Sequence, residues 1–165
     1  LNSTGAQDDD NTIWNDTSPT SSVFTVGTNT GSNASSGTYM AYCFASKIGF
    51  SHFGKYTGNG NASGPVVYTG MRPGWLMIKE ASSSGEGWVI FDNKRSPSNL
   101  VQRSLQANIT QAEENLSSKS LNFLSNGFKI RTTDGLQNSN GETYIYLCFA
   151  EAPLVGSNNV PSNAR

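Results

Sequence analysis

The sequence predicts an all-β protein, an antiparallel β-sandwich or jelly roll with at most one short helix. Ser, Thr, Asn and Gly make up 72 of the 165 residues, and these types favour turns or strands over helices. Charged residues are only 14% of the chain. Tight-turn dipeptides at Asn59-Gly60, Asn126-Gly127 and Asn140-Gly141 separate short apolar runs. Turns about every ten residues are typical of sandwiches and jelly rolls.

Eight segments have the alternation and turn punctuation of short strands. A helix is predicted near Thr110–Leu116, where Thr110 caps and Glu113 completes a capping box. Strand Thr143–Ala150 has no polar face, so we expect it to be central and covered on both sides, together with its copy Thr38–Ala45. In chain order the strands are Phe24–Thr28, Thr38–Ala45, His52–Tyr56, Pro65–Tyr68, Trp75–Lys79, Trp88–Asp92, Phe128–Arg131 and Thr143–Ala150.

Several classes of protein are excluded by composition. Three Trp, six Tyr and eight Phe argue against disorder, because each aromatic residue buries a large area. The formal net charge is −1 and no basic run exceeds two residues, so we predict no nucleic-acid partner. The longest apolar run lies within Tyr39–Ala45, far short of a membrane-spanning helix, so we predict no membrane insertion.

An internal repeat of about 105 residues runs through the chain. Leu1–Val26 align with Leu105–Ile130 without a gap, at an offset of 104. One residue later, Gly37–Ala45 run parallel to Gly141–Ala150. We therefore predict that residues 1–50 are the C-terminal half of a first unit that begins upstream. Residues 51–165 would be a complete second unit, and the two would pack as one sandwich body.

Residues able to carry chemistry are few. His52 is the only histidine, and no nucleophile or orienting acid stands at motif spacing, so we predict a structural histidine. A disulfide between Cys43 and Cys148 is possible. Because they occupy the same position of two copies, we expect free thiols that act as small buried hydrophobes.

Carboxylates suggest two further chemistries. The run Asp8–Asn11, echoed by Glu113–Asn115, is either a calcium site or a solvated loop, and we favour the loop. Paired carboxylates for glycoside hydrolysis would come from residues such as Glu80, Glu86, Asp92 and Glu151. Glu86 lies in a loop and Asp92 stands beside Arg95 at a strand end, so we predict no catalytic residue, no metal and no cofactor.

Seven strings follow one another along the chain at Thr12–Phe24, Tyr39–Ala45, Tyr56–Gly60, Gly64–Gly70, Arg72–Trp75, Trp88–Asp92 and Phe123–Phe128. In this order they resemble a repeated domain of unknown function that is common in proteins of marine tailed bacteriophages. The resemblance covers nearly the whole chain and implies a phage structural or tail-fibre-like protein with a concanavalin-A-like β-sandwich. It supplies no catalytic residues.

The expected function is therefore that of a non-enzymatic virion component, a tail-fibre or appendage domain that recognises the host surface, with a glycan as ligand. Hydroxyl and amide side chains can exchange hydrogen bonds with sugars, and Tyr56 is the predicted stacking aromatic. The alternatives are a purely structural module, such as a capsid decoration or fibre spacer, and a carbohydrate-active enzyme. Expected partners are other copies, as a homotrimer by analogy with phage fibres, and other virion proteins, assembled in the host cytoplasm.

Overall fold

The computed structural model describes residues 3–152, which divide into two compact units. One unit is Gln7–Phe44, and the described residues of the other are 3–6 and 45–152. The small unit contains two one-turn helices, and the large unit contains nine strands, a third one-turn helix and a 3₁₀ turn. They are α1 (Asn11–Trp14), α2 (Thr30–Asn33), β1 (Ser51–Thr57), β2 (Val66–Tyr68), β3 (Pro73–Glu80), β4 (Trp88–Asp92), β5 (Arg103–Gln106), β6 (Glu114–Asn115), the 3₁₀ turn (Ser117–Lys119), β7 (Leu121–Leu124), β8 (Gly127–Ile130), α3 (Gly135–Asn138) and β9 (Thr143–Ala150).

The nine strands of the large unit form two antiparallel sheets. The large sheet has the order β1-β9-β3-β4-β5-β6, and the small sheet has the order β2-β8-β7. Strand β9 lies between β1 and β3 and pairs with both over most of its length. The predicted all-β antiparallel sandwich is confirmed, but residues 3–152 contain three one-turn helices where at most one short helix was predicted.

The core lies between the inner faces of the two sheets. The ring of Phe128 on β8 contacts two rings of the large sheet edge-on, Tyr146 at 5.3 Å and Tyr56 at 5.9 Å between centroids. Tight packing of this kind makes loss of a large core side chain costly, about 3–5 kcal/mol. The core comprises Tyr56, Val67, Met71, Leu76, Ile78, Val89, Phe91, Val101, Leu121, Phe123, Phe128, Ile130, Leu136, Tyr144, Tyr146 and Cys148.

Strand β9 is covered more completely on one face than on the other. Tyr144, Tyr146 and Cys148 are buried in the core, whereas Ile145, Leu147 and Phe149, on the side of the large sheet away from the core, are half-buried. The prediction of a central strand is confirmed, but the prediction of complete cover on both sides is wrong for the side away from the core.

In the small unit, short polar interactions define each turn. Asp10 caps α1 by accepting a hydrogen bond from the Thr12 amide at 2.8 Å, and Asn29 caps α2 through the Gly31 amide at 2.8 Å. A Cβ on Gly27 would lie 2.1 Å from the Thr12 carbonyl oxygen, so only glycine fits at this position.

Two turns at equivalent repeat positions share their hydrogen bonds. In the small unit, the Tyr39 hydroxyl donates to Thr30 O (2.5 Å) and accepts from the Ala34 amide (2.8 Å). In the large unit, 105 residues later, the Tyr144 hydroxyl donates to the Gly135 carbonyl (2.6 Å) and accepts from the Ser139 amide (2.8 Å). Asn33 and Asn138 likewise donate at 2.7 Å to the carbonyls of Gly27 and Thr132. The sequence correspondence thus extends to local hydrogen bonding.

Three predicted elements are wrong. Phe24–Thr28 and Thr38–Ala45 are not strands, and Met40 and Tyr42 are 78% and 80% exposed. Among the described residues neither segment pairs with a strand, whereas β9, the aligned counterpart of Thr38–Ala45, is held between the sequence-distant strands β1 and β3. The predicted helix Thr110–Leu116 is replaced by β6, where Glu114 and Asn115 pair with β5. Among the described residues, no helix is long enough to cross a bilayer.

Candidate functional site

Tyr56, the predicted stacking residue, lies inside the core. Its side chain is 8% exposed, its ring stacks on Tyr144 at 5.1 Å, and its hydroxyl donates to the Gln137 carbonyl at 2.8 Å. Burial raises the pKa of its phenol well above the ordinary value. The prediction that Tyr56 is exposed is wrong, because residues alternate along β1 and Tyr56 points inward. A ligand cannot reach its ring in this structure.

A different tyrosine presents an accessible ring on the small sheet. Tyr68 on β2 is 70% exposed, and Val66 on the same side of the strand is 61% exposed, whereas Val67 between them is buried. Because Val67 packs into the core, alternation places Tyr68 on the solvent side. This side of the three-stranded sheet is called the outer face below; the residues pointing from it are Val66, Tyr68, Asn122, Leu124 and Lys129.

Strand register places an amide and an ammonium group beside this tyrosine. Lys129 on β8 lies opposite Val66 on one side and Asn122 on the other. The Lys129 ammonium donates to the Ser63 hydroxyl at 3.2 Å. The Asn122 side-chain oxygen is buried and has no hydrogen-bond partner among the described residues. The outer face thus combines an exposed ring with the half-buried Lys129 ammonium, which can donate to a hydroxylated ligand.

Close backbone approach fixes the position of Tyr68. A Cβ on Gly127 would lie 2.0 Å from the Val67 carbonyl oxygen, so β2 and β8 come together only because residue 127 is glycine. Next to Tyr68, the amides of Thr69 and Gly70 both donate to the Asn126 carbonyl, at 3.0 and 3.2 Å. Gly70 has a φ of +73°, which favours glycine. The tyrosine is therefore held on a rigid strand end.

Two of the four carboxylates considered for hydrolysis are held in ion pairs. Asp92 accepts from the Arg95 side chain at 2.5 Å, and Glu151 lies 2.6 Å from Arg72. Burial alone raises the pKa of Asp92, but hydrogen bonds from Arg95 outweigh burial and leave this pKa below its ordinary value. Asp92 therefore forms an ion pair with Arg95 in the turn that follows β4.

The other two carboxylates come together beside α3. Glu80, at the end of β3, is 2% exposed and accepts from the Ser83 hydroxyl. Burial raises the pKa of Glu86, and the negative charges of Asp134 and Glu80 raise it further. A Cβ on Gly135 would lie 2.7 Å from the Glu86 Oε1 atom, so the glycine leaves room for this carboxylate. Because Glu80 is almost entirely buried, a bulky substrate cannot reach the pair.

His52 and the two cysteines have structural surroundings. The Nδ1 atom of His52 lies 2.8 Å from the Tyr146 hydroxyl, and the two rings stack at 5.8 Å. Both cysteines are free. Cys148 is buried, and burial raises its pKa to about 12. The prediction of a buried strand residue is wrong for Cys43, which is exposed and outside any strand.

The acidic run of the small unit forms an open depression. Asp8, Asp9, Asp10, Asn11 and Asp16 line it. The Thr12 hydroxyl and amide hydrogen bonds lower the pKa of Asp10, which serves as the α1 cap. Within residues 3–152, no group of three or more His, Cys, Asp or Glu side chains has the geometry of a metal site. Asp10 thus has a local structural role.

Tyr68 was not predicted as a site residue, although the alternation of residues along β2 indicates that it is exposed. In β1 the charged Lys55 is exposed, so Tyr56 beside it must point inward; in β2 the neighbour of Tyr68 is the apolar Val67. Applying the two-residue period of a strand to both tyrosines would have predicted a buried Tyr56 and an exposed Tyr68. The pairing of Asn122 with Lys129 could not be predicted from alternation, because no strand was predicted at β7.

Comparison with known proteins identifies a family. Residues 1–153 match the model of a family described as a domain of unknown function (DUF7483), so the match extends across both copies of the repeat. No match is found among curated proteins or among solved structures. Since the matched region covers 153 of the 165 residues, the chain belongs to the DUF7483 family.

Proposed function

We propose that this chain is a non-enzymatic component of a bacteriophage virion, an appendage domain that recognises a host-surface glycan through the outer face of its small sheet. The observation that carries the proposal is Tyr68, an aromatic ring 70% exposed at the end of a strand that β8 approaches closely at Gly127. The apolar face of a sugar ring packs well on an exposed aromatic face, and nearby amide and ammonium groups can bond its hydroxyls.

Support for the virion assignment comes from the ordered strings that resemble the phage repeat domain, such as Thr12–Phe24 and Phe123–Phe128. The all-β sandwich fits a rigid display module, because strands hold loops and surface side chains in fixed positions. A non-enzymatic role is favoured by the ion pairs of Asp92 and Glu151 and by the burial of Glu80.

A glycan array tests the recognition directly. The purified chain is compared with Tyr68→Ala and with Tyr42→Ala, a control that removes an equally exposed tyrosine from the small unit (80% exposed). We expect Tyr68→Ala to weaken binding roughly tenfold or more, because tyrosines at binding sites often dominate affinity. Tyr42→Ala should leave binding unchanged, and circular dichroism should show both variants folded.

Two outcomes contradict this proposal. If both variants bind as the unchanged chain does, the outer face is not the recognition surface. If the assembled protein binds neither glycans nor host cells yet enters virions normally, the chain is a structural module without a ligand.

A further inference from the structure

The chain segments that build the small sheet carry an excess of positive charge. Residues 58–73 and 115–133 contain four basic residues and no acidic residue, in a protein whose formal net charge is −1. The acidic side chains of the large unit lie on other segments. The four basic residues are Arg72, Lys119, Lys129 and Arg131.

Two of these four cations are neutralised and two are not. Arg72 pairs with Glu151, and Lys119 pairs with Glu114. In the part of the chain that the structure describes, Lys129 and Arg131 take part in no ion pair. Arg131 is exposed, and its backbone amide is fixed by a 3.0 Å hydrogen bond to the Ser120 carbonyl.

The two unpaired cations are positioned to act together with Tyr68. Lys129 lies on β8, and Arg131 follows the strand directly with its amide bonded to the Ser120 carbonyl, so strand alternation continued by one residue places both on one face about 7 Å apart. Tyr68 pairs with Gly127, which makes Tyr68 and Lys129 diagonal neighbours about 7–8 Å apart. An extended ligand can therefore contact the ring and both cations at once.

We propose that the ligand of the outer face is an acidic polysaccharide, with its carboxylates against Lys129 and Arg131 and a neighbouring sugar ring on Tyr68. The inference rests on the proposed glycan recognition and adds the charge of the glycan. Charge complementarity carries it, because the half-buried Lys129 and the exposed Arg131, without carboxylate partners among the described residues, attract an anionic chain. The guanidinium of Arg131 is suited to bidentate carboxylate binding.

The test measures binding of the full chain to polygalacturonate, to neutral dextran and to a single-stranded DNA oligonucleotide. The double variant Lys129→Gln with Arg131→Gln is compared with Lys55→Gln with Lys94→Gln, which removes the same charge from exposed positions elsewhere. We expect the first double variant to weaken polygalacturonate binding about tenfold or more and the control to change it less than about twofold. Binding should also weaken as salt rises.

The outcomes separate this inference from the function on which it rests. Tyr68-dependent binding to neutral glycans, unchanged in the Lys129 and Arg131 variant, would overturn the acidic ligand and leave glycan recognition intact. Binding to no polysaccharide would overturn both. Equal affinity for the oligonucleotide would overturn the inference in favour of general polyanion binding, and equal losses in both double variants would remove these two residues from the site.

Discussion

Strand β9 and its sequence copy Thr38–Ala45 differ in structure although five aligned residues are identical. β9 lies between β1 and β3, with Tyr144 and Cys148 buried. In the copy, Tyr39 is 47% exposed and Cys43 is exposed. The capped turn before each segment is nevertheless the same, with the tyrosine hydroxyl bonding the same two backbone positions. Interactions local in sequence are thus encoded locally, whereas β9 is held as a strand by its sequence-distant neighbours β1 and β3.

The largest expected effect comes from removing the tyrosine of each segment. Tyr144→Ala should lower the free energy of unfolding of the large unit by about 3–5 kcal/mol, because a fully buried ring leaves a cavity. Tyr39→Ala should cost about 1 kcal/mol, since its ring is half exposed. Urea denaturation measures both. Equal losses would mean that Thr38–Ala45 is as well packed as β9.

Thiol labelling compares the segments at a second pair of identical residues. Cys148 is buried, and burial raises its pKa to about 12, so little thiolate forms at pH 8. We expect Cys43 to react with iodoacetamide roughly a hundredfold faster than Cys148 under native conditions. Mass spectrometry assigns each label, and unfolding in urea should remove the difference. Fast native labelling of Cys148 would contradict a buried β9.

Removal of the hydroxyl alone isolates the shared turn. Tyr144→Phe leaves the Ser139 amide and the Gly135 carbonyl without their partner in a partly buried site, at a cost of about 1–2 kcal/mol. Tyr39→Phe should cost less than about 0.5 kcal/mol, because Thr30 and Ala34 can bond to water instead. Thermal unfolding of both variants measures the two losses of stability. A larger loss for Tyr39→Phe would reverse the comparison.

The smallest expected difference is one of pH dependence. The pKa of Glu86 is raised in the folded protein, so the folded state holds this proton more tightly than the unfolded chain. Stability contributed by the protonated carboxyl is therefore lost as the pH rises above the ordinary glutamate range. Amide-exchange protection of Leu136 in α3 should fall over that window. Amide-exchange protection of Gly31 in α2 should stay constant over the same window, because the Asn29 side chain that accepts its hydrogen bond does not titrate. The Glu86→Gln variant should lose the pH dependence.

Much of the fold was predictable because it follows from short-range patterns. Strands Trp88–Asp92 and Thr143–Ala150 were predicted with their observed bounds. β5 was missed because Arg103–Gln106 contains a single apolar residue and its buried Ser104 gives no hydrophobic signal. β7 was predictable in principle, since Leu121 and Phe123 alternate just before the Asn126-Gly127 turn.

The candidate site was less predictable than the fold. Its two positions on β7 and β8, Asn122 and Lys129, are neighbours only through strand register. The exposure of Tyr68 depends on which face of β2 meets the core. Alternation predicts this exposure only if the neighbouring Val67 is recognised as the core residue. The wrongly predicted strand Thr38–Ala45 has the alternation of a strand, but in the described part of the chain it pairs with no other strand.

The most direct test of the proposed function is an NMR titration of the isotope-labelled chain with the glycan that binds best on the array. The proposal predicts that the largest chemical-shift changes map to the outer face, at Tyr68, Asn122 and Lys129, and that they disappear in Tyr68→Ala. Shift changes confined to the carboxylates of Glu80 and Glu86, or to the acidic depression of the small unit, would contradict recognition by the outer face.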